Sequence, residues 1–332
     1  MIISLALPTR NAEWCLSHSF KAILEQTTPP DEILICIGPS MDRTEELVLD
    51  FQKKSKVPVR VFYDREGIGT GYAINLITEN AKGDLVLWID SDGIKPHSWV
   101  KRISNYFEKD KDLIYLRERG KEIDSANISK FHTEDYTYTP HITYDNEGKI
   151  ITAAGLMAFR RDQVLKLDNF DPLFSRGQDL DMTIKLFSSD YKGGECTSQG
   201  YHFGVYGLNN IKKCFKHGTF FKLLYKYGWR YCFVYPQHFA GVLLRTTFLL
   251  STIFLLISLF YGYTQVSLIF GGLILLTQIG IALGLYISFG RLNINQFVIQ
   301  ILDSIGEFYQ LWCLMRIKNK PPMGYGKKYI MR

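Results

Sequence analysis

Short apolar segments and segments with helical periodicity alternate along the first 90 residues of the chain. Strands are predicted over residues 2–7, 32–37, 57–63 and 84–89, and helices over residues 12–26, 43–54 and 72–81. A strict alternation of this kind predicts an α/β domain with a mainly parallel, Rossmann-like sheet and helices on both faces. Because ligands of such sheets bind beyond the carboxyl ends of the strands, the chemistry is expected there.

The pattern changes near residue 245. Residues 246–290 are 45 consecutive positions without an Asp, Glu, Lys, Arg or His. Since a helix needs roughly 20 apolar residues to cross a bilayer, this segment predicts two crossings joined by a tight turn. The expected organisation is a catalytic domain over residues 1–206, basic and aromatic interfacial helices over 207–245, a transmembrane hairpin over 246–290, and an amphipathic helix with a basic tail over 291–332.

A third apolar stretch, residues 297–315, differs from the hairpin because polar side chains recur along it at helical spacing. They are Gln300, Asp303, Ser304 and Glu307. If this stretch crossed the membrane, the basic tail would lie outside, against the tendency of basic residues to stay on the cytoplasmic side. We therefore expect an amphipathic helix on the membrane or on the catalytic domain. Two crossings then leave the catalytic domain and both termini in the cytoplasm, at the plasma or inner membrane.

The net charge of +6 is mild, so the positions of the basic residues matter more than their number. They cluster on both sides of the apolar run, where they attract anionic lipid headgroups. This placement favours a membrane partner and argues against nucleic acid. A hydrophobic fraction of 46% excludes a disordered chain, and six cysteines without paired spacing indicate reduced thiols.

An acidic segment, Asp90-Ser91-Asp92, directly follows the fourth predicted strand. Both carboxylates are thereby placed at the edge of the sheet where ligands bind. Mn²⁺ and Mg²⁺ favour carboxylate oxygens, and Mg²⁺ typically takes one or two from the protein, with substrate phosphates and water completing the shell. A turn that merely favours Asp, Ser and Gly has the same sequence, so the strand context alone leaves both interpretations open.

A second acidic segment, Gln178-Asp179-Leu180-Asp181, stands at the start of a predicted helix. Acidic residues complement the dipole at a helix N-terminus, and this accounts well for Asp181. Asp179 has a sharper interpretation, because a carboxylate near a metal–phosphate site can act as the general base on an acceptor hydroxyl.

Six segments in fixed order together resemble the family 2 glycosyltransferases, which are inverting enzymes of GT-A fold. The segments are residues 6–11, 38–44, 73–75, 90–92, 155–161 and 177–186. By this resemblance, a nucleotide-sugar donor would contact Pro8, Thr9, Arg10, Asn11, Asn75, Asp90 and Ser91. Mn²⁺ or Mg²⁺ would be held by Asp92 with Asp90, and His202 is a further candidate ligand. Asp179 would be the catalytic base, with Gly155 and Gln178 on the acceptor side.

The resemblance implies transfer of a sugar in glycan assembly, and the two predicted spans with their basic flanks indicate a lipid-linked or other membrane-proximal acceptor. No Gln-x-x-Arg-Trp motif occurs, which indicates a non-processive enzyme. The family's acidic residue after the second strand is absent from Ile37-Gly38-Pro39, so a uridine donor does not follow. Gln178 and Lys185 stand where Glu and Arg are common. Two alternatives stay open: a transferase that glycosylates a polyprenyl phosphate, and a non-catalytic membrane scaffold of the same fold.

Overall fold

The computed structural model of the chain describes residues 1–118, 121–124, 142–144, 155–174, 177–196, 201–204, 219–234, 236–289, 294–317 and 323. It divides into two compact units, Met1–Tyr206 and Gly207–Arg332. Each unit is described by itself below. The basic tail after residue 317 and the lysines between residues 205 and 218, which the charge pattern placed beside lipid headgroups, lie outside the described residues.

The first unit is built on an eight-stranded sheet with the order β3-β2-β1-β4-β9-β6-β10-β8. Its strands are β1 (Ile3–Thr9), β2 (Glu32–Ile37), β3 (Val59–Tyr63), β4 (Leu85–Trp88), β6 (Leu113–Glu118), β8 (Ile142–Tyr144), β9 (Gly155–Arg160) and β10 (Lys192–Cys196). A small second sheet has the order β5-β11-β7 and consists of β5 (Gly93–Ile94), β7 (Lys121–Asp124) and β11 (Tyr201–Gly204).

The helices of this unit are α1 (Glu13–Leu24), α2 (Thr44–Lys54), α3 (Thr70–Asn80), α4 (Trp99–Lys109), α5 (Arg161–Lys166) and α6 (Gln178–Ser188). Every residue of β1, β2 and β4 is buried. Apolar side chains therefore point to both faces of these strands, as a parallel sheet covered by helices on both sides requires. The predicted α/β fold with a mainly parallel sheet is confirmed.

One central strand runs against its neighbours. Strand β9 is antiparallel to β4 on one side and to β6 on the other. Its first residue, Gly155, pairs with Glu118, the last residue of β6. Because an antiparallel strand begins where its neighbours end, the start of β9 joins the carboxyl ends of β1, β2, β3 and β4 at one edge of the sheet.

The second unit contains only helices among its described residues: α7 (Phe220–Tyr227), α8 (Arg230–Val234), α9 (Pro236–Phe260), α10 (Thr264–Phe289) and α11 (Ile294–Arg316). Two stretches are long and apolar enough to cross a membrane, Phe239–Phe260 in α9 and Thr264–Leu283 in α10. Helix α9 begins ten residues before the predicted start of the hairpin at residue 246 and so includes Arg245. A helix is held by its backbone hydrogen bonds, so its bounds need not coincide with a change in hydropathy.

Helix α11 covers the third apolar stretch of the sequence. Side chains are described from residue 305 onward, so Glu307 is the one member of the predicted polar stripe whose burial is known. Glu307 is 4% exposed and Gln310 is 5% exposed. The polar side of this part of the helix therefore faces the interior of the second unit.

Candidate active site

The loops after the first two strands form one connected layer at the sheet edge. Asn11 adopts a left-handed backbone conformation, with φ of 46°. Its side-chain oxygen accepts a hydrogen bond from the backbone N–H of Met41 at 2.8 Å, and its own N–H donates to Ser40 Oγ at 3.0 Å. The side-chain oxygen of Asn11 thus already accepts a hydrogen bond from the protein, and a direct contact with a nucleotide-sugar donor stays a prediction.

Arg10, the neighbouring residue, is exposed and lies over Gly38. A Cβ added at Gly38 would lie 3.3 Å from both Cβ and Cδ of Arg10, so the stem of the arginine covers this glycine closely. Pro8 and Thr9 are buried in β1. Arg10 is the one charged residue among Pro8, Thr9, Arg10 and Asn11, and its side chain is exposed at the edge of the sheet, where a ligand can reach it.

A shallow pocket opens between the ends of β2 and β3. It is lined by Ile37, Gly38, Pro39, Ser40, Glu45, Tyr63, Asp64 and Arg65. The Tyr63 hydroxyl donates to Glu45 at 2.9 Å. The guanidinium of Arg65 lies 5.9 Å from the centre of the Tyr63 ring. This pocket occupies the place where the sequence lacks the family's acidic residue, and it contains a carboxylate from helix α2 instead.

Asp64, the second acidic residue of the pocket, stabilises a turn of the backbone. Asp64 is 3% exposed, and its two carboxylate oxygens accept the backbone N–H groups of Ile68 and Gly69 at 3.0 and 2.9 Å. Gly69 has a φ of 130°, which side chains rarely adopt, and it immediately precedes α3. Asp64 therefore fixes the glycine turn that leads into α3, whereas Glu45 is exposed.

The Asp90–Asp92 segment lies at the carboxyl end of β4, as predicted. Asp90 is exposed, and Trp88 Nε1 donates to its Oδ1 at 3.1 Å. The carbonyl oxygen of Ser91 accepts from Ser19 Oγ at 2.5 Å, which ties the turn to α1. Burial raises the pKa of the Cys15 thiol, in the first turn of α1, and the negative charge of Asp92 adds to this effect. The side chain of Asp92 is therefore close to the start of α1.

Strand β11 brings His202 alongside this segment through the backbone. His202 pairs with Gly93, and the N–H of Phe203 donates to the carbonyl oxygen of Asp92 at 3.0 Å. The side chain of His202 lies outside the described residues, so its predicted contact with a metal stays a prediction.

Asp179 stands at the first turn of α6, after Gly177, which has a left-handed φ of 74°. Burial raises the pKa of the Asp179 carboxyl above its ordinary value of 3.8, and the negative charge of Asp90 adds to the shift. A Cβ added at Gly155 would lie 3.6 Å from Asp179 Oδ2. Three predicted site residues, Asp90, Gly155 and Asp179, are thus brought together by β4, β9 and α6.

Gln178, the neighbour of Asp179, is 9% exposed. Within the part of the chain that the structure describes, its Oε1 is buried and accepts no hydrogen bond. A buried carbonyl oxygen without a donor is costly, and a ligand hydroxyl or amide can supply the missing donor. This observation fits the predicted place of Gln178 beside the acceptor.

The segment between α5 and α6 is held by side chains whose partners the sequence did not predict. Asn75 Nδ2 donates to the carbonyl oxygen of Phe170 at 2.6 Å, and its Oδ1 accepts the Phe170 N–H at 2.8 Å. Buried Lys185 donates from Nζ to the carbonyl oxygens of Leu167 and Asn169 at 3.1 and 2.7 Å. These bonds give Asn75 and Lys185 a positioning role, and a donor contact by Asn75 stays a prediction.

A divalent cation is implied by the family resemblance, and the protein offers it two carboxylates, from Asp90 and Asp92. The described residues contain no group of three or more His, Cys, Asp or Glu placed to hold an ion. Two carboxylates nevertheless fit Mg²⁺ or Mn²⁺ in an enzyme whose substrate brings phosphate oxygens, because such ions commonly take one or two protein ligands.

A mainly parallel sheet covered by helices, with a smaller second sheet beside it, matches the GT-A fold. Residues 4–167 match the model of glycosyl transferase family 2. The matched segment, about half of the chain and within the first unit, is therefore a domain of glycosyltransferase family 2.

Known proteins resemble parts of the chain. A glucosyltransferase from Escherichia coli, WfgD, named for the acceptor α-D-GlcNAc-diphosphoundecaprenol, is 31% identical over 28% of this chain and 36% of its own length. The Staphylococcus aureus TarS structure with UDP-GlcNAc has a TM-score of 0.51 at 19% identity, covering 62% of this chain and 60% of that one. GalNAc-T7 with UDP, GalNAc and Mn²⁺ has a TM-score of 0.50 at 15% identity, covering 62% and 44%. The chain spans less than two thirds of the curated relatives it matches first.

Asp64 gives a test of the glycine turn. Replacing Asp64 with Asn puts an amide N–H₂ against one of the two backbone N–H groups, so the turn should lose one hydrogen bond and open more often. We expect faster hydrogen–deuterium exchange at Ile68 and Gly69 in a native-state experiment. Asp50→Asn, at an exposed site on α2, is the control and should leave these amides unchanged. Equal protection of the turn in D64N would contradict the role assigned to Asp64.

Proposed function

We propose that the protein is a membrane-anchored, inverting and non-processive glycosyltransferase that moves a sugar from a nucleotide-sugar donor to a lipid-linked acceptor in glycan assembly. The observation that carries the proposal is the position of Asp179. Its carboxylate is half-buried at the start of α6, close to Asp90 at the end of β4 and beside the open edge left by Gly155.

In this reaction Asp179 removes the proton from the acceptor hydroxyl as that oxygen attacks the anomeric carbon. The new bond joins the acceptor oxygen to the anomeric carbon, and the bond from that carbon to the donor diphosphate breaks on the opposite face. One displacement inverts the anomeric centre. A raised pKa suits a general base, because the carboxylate then holds the transferred proton more firmly than an ordinary aspartate would.

The donor is assigned to the loops after β1, β2 and β4. Exposed Arg10 supplies a positive charge for the diphosphate, and the pocket between β2 and β3 receives the nucleobase. Glu45 can accept a base N–H through Oε2, because its Oε1 accepts the Tyr63 hydroxyl, whereas both oxygens of Asp64 already accept backbone N–H groups. Asp90 would lie beside the ribose and diphosphate of the donor, and Ser91 is a further donor-binding residue.

Asp92 and Asp90 would hold Mn²⁺ or Mg²⁺, and the ion would offset the negative charge that develops on the diphosphate. The solved GalNAc-T7 structure, which shares this fold, contains Mn²⁺ with UDP. His202 is proposed as a further ligand, supported by the pairing of its backbone with Gly93.

A lipid-linked acceptor is supported by two observations. The helices Phe239–Phe260 and Thr264–Leu283 are long and apolar enough to cross a membrane. WfgD, which resembles 28% of this chain, is named for a diphosphoundecaprenol-linked acceptor. With two crossings, the catalytic unit and the termini lie on the cytoplasmic side of the plasma or inner membrane, and basic residues that flank the helices contact anionic headgroups.

The base is tested by replacing Asp179 with Asn in membranes that contain the full chain. Turnover of the accepted nucleotide sugar, chosen from a panel of UDP-, GDP- and CDP-sugars, should fall about 10²–10⁴-fold, because a general base contributes that much. In the wild type, burial and the charge of Asp90 raise the pKa of Asp179. The acidic limb of kcat/KM should therefore lie above 3.8, with activity lost as the pH falls through it. Donor binding by D179N is the control, and full turnover by this variant would refute the proposed role.

Gly155 is tested with two substitutions of different size. In Gly155→Ala the added Cβ lies in ordinary contact, 3.6 Å from Asp179 Oδ2, and we expect turnover close to that of the wild type. In Gly155→Val the branched side chain covers the carboxylate, and we expect a loss on the order of 10²-fold. The measurement is initial rate at saturating donor, with thermal stability as the control. Equal rates for the two variants would place the acceptor elsewhere.

Glu45 is tested with Glu45→Ala, and Glu46→Ala is the matched control on the same turn of α2. Loss of a hydrogen bond between a carboxylate and a base N–H should weaken binding of the accepted nucleotide about tenfold or more. Glu46 pairs with Arg43 at 2.6 Å and does not line the pocket, so E46A should bind as the wild type does. The measurement is direct binding of the nucleotide. Unchanged affinity in E45A would show that the nucleobase does not bind in this pocket.

A further inference from the structure

Helix α11 has its polar and apolar sides in an unusual order. Glu307, Gln310 and Leu314 are 4%, 5% and 2% exposed, so they face the interior of the second unit. Large apolar and aromatic side chains of the same helix are exposed instead: Phe308 at 37%, Tyr309 at 44%, Trp312 at 44% and Met315 at 60%. We call these four residues the aromatic face of α11.

The two sets lie on opposite sides because successive helical residues are about 100° apart. Glu307, Gln310 and Leu314 fall within one narrow sector, and the aromatic face is centred about half a turn away. A helix that met water would show the reverse arrangement, with its polar stripe outside. A contiguous exposed apolar surface of this kind marks a partner or a membrane.

Glu307 fixes the rotation of the helix. Its carboxylate accepts the backbone N–H of Thr219 at 3.2 Å and that of Phe220 at 3.1 Å, at the first turn of α7. These N–H groups have no partner within their own helix, so a carboxylate from another helix satisfies them and complements the α7 dipole. Turning α11 about its axis would break both hydrogen bonds and bury the aromatic face in place of Glu307.

From this arrangement we propose that the aromatic face of α11 is embedded in the interfacial region of the lipid bilayer, and that Glu307 positions it there. The proposal rests on the membrane anchoring proposed above. Helix α11 packs against both α9 and α10, so it lies beside the two helices that are apolar enough to cross a membrane. Tyr and Trp are the residues enriched at the headgroup level of membranes.

The positive charge of Arg316, at the end of α11, agrees with a position of this helix in the interfacial region of the bilayer. The guanidinium of Arg316 lies 3.7 Å from the centre of the Trp312 ring. An arginine one turn beyond a tryptophan can reach the headgroups while its stem and the ring stay in the apolar layer.

The test uses full-length protein reconstituted in phosphatidylcholine vesicles with and without dibrominated acyl chains, which quench tryptophan that touches them. Trp312→Phe is compared with Trp14→Phe, because Trp14 is 41% exposed in the catalytic unit and so matches Trp312 in exposure. The quantity compared is the emission intensity lost to bromolipid, which is the intensity without bromine minus the intensity with it. We expect this loss to fall clearly in W312F and to stay at the wild-type level in W14F.

Quenching in W312F that equals that of the wild type or of W14F would overturn the proposal. In that case, Cys313–Cys313 cross-linking would identify a second copy of the chain as the occupant of the face. Extraction at alkaline pH separates this result from the membrane proposal. A chain that stays with the lipid while Trp312 is not quenched refutes only the assignment of α11.

The role of Glu307 is tested in the same vesicles. The contribution of Trp312 is the difference in quenching between a variant with Trp312 and the same variant with W312F. Glu307→Gln keeps an oxygen that accepts the α7 N–H groups, so this contribution should be retained. Glu307→Ala removes the acceptor, and this part should drop while extraction still leaves the chain in the membrane. Equal quenching in E307A and E307Q would show that Glu307 does not position the face.

Discussion

The arrangement of the candidate active site depends on two carboxylates held near each other at a sheet edge. Asp90 and Asp179 carry like charges, and the field of Asp90 adds to the burial that raises the pKa of Asp179. Two such charges repel, and the proximity persists only because rigid elements impose it. In the proposed reaction, a divalent cation held by Asp90 and Asp92 would relieve this repulsion.

The elements that impose this proximity are held mainly by side chains bonded to backbone. Asn11 joins the loops after β1 and β2, and Asp64 fixes the turn before α3. Asn75 and Lys185 fasten the segment that leads into α6. Each of these bonds satisfies backbone groups that no strand or helix can pair, and this is how irregular loops keep a defined geometry. Such residues are polar and lie near the site, so a sequence alone does not separate them from residues that bind substrate.

The predicted elements of the first 90 residues agree with the structure because the signals are local. The strand at residues 32–37 has the predicted bounds, and α2 begins one residue later than predicted. The direction of β9 was not predicted, because this buried antiparallel strand has the continuous apolar run, Leu156 to Phe159, that is typical of a parallel strand. The pairing of Asn75 with Phe170 spans 95 residues, and no periodicity records a contact of that separation. Motif order located Asp90, Gly155 and Asp179, whereas the carboxylate of Glu45 in the pocket was missed because it stands on a helix outside every motif.

The second unit shows why a polar stripe does not determine which side of a helix meets water. Side chains at positions 300, 303, 304 and 307 predicted an amphipathic helix on the membrane or on the catalytic domain, and the described member, Glu307, is buried on the N-terminus of α7. The partner of that carboxylate is a pair of backbone N–H groups, and backbone donors leave no trace in a pattern of side chains. Where the surroundings are lipid, burying the carboxylate against such donors costs less than exposing it to hydrocarbon, and aromatic side chains can face outward. The same rule, that polar groups go where they find partners, therefore produces a polar active-site edge in one unit and an apolar outer surface in the other.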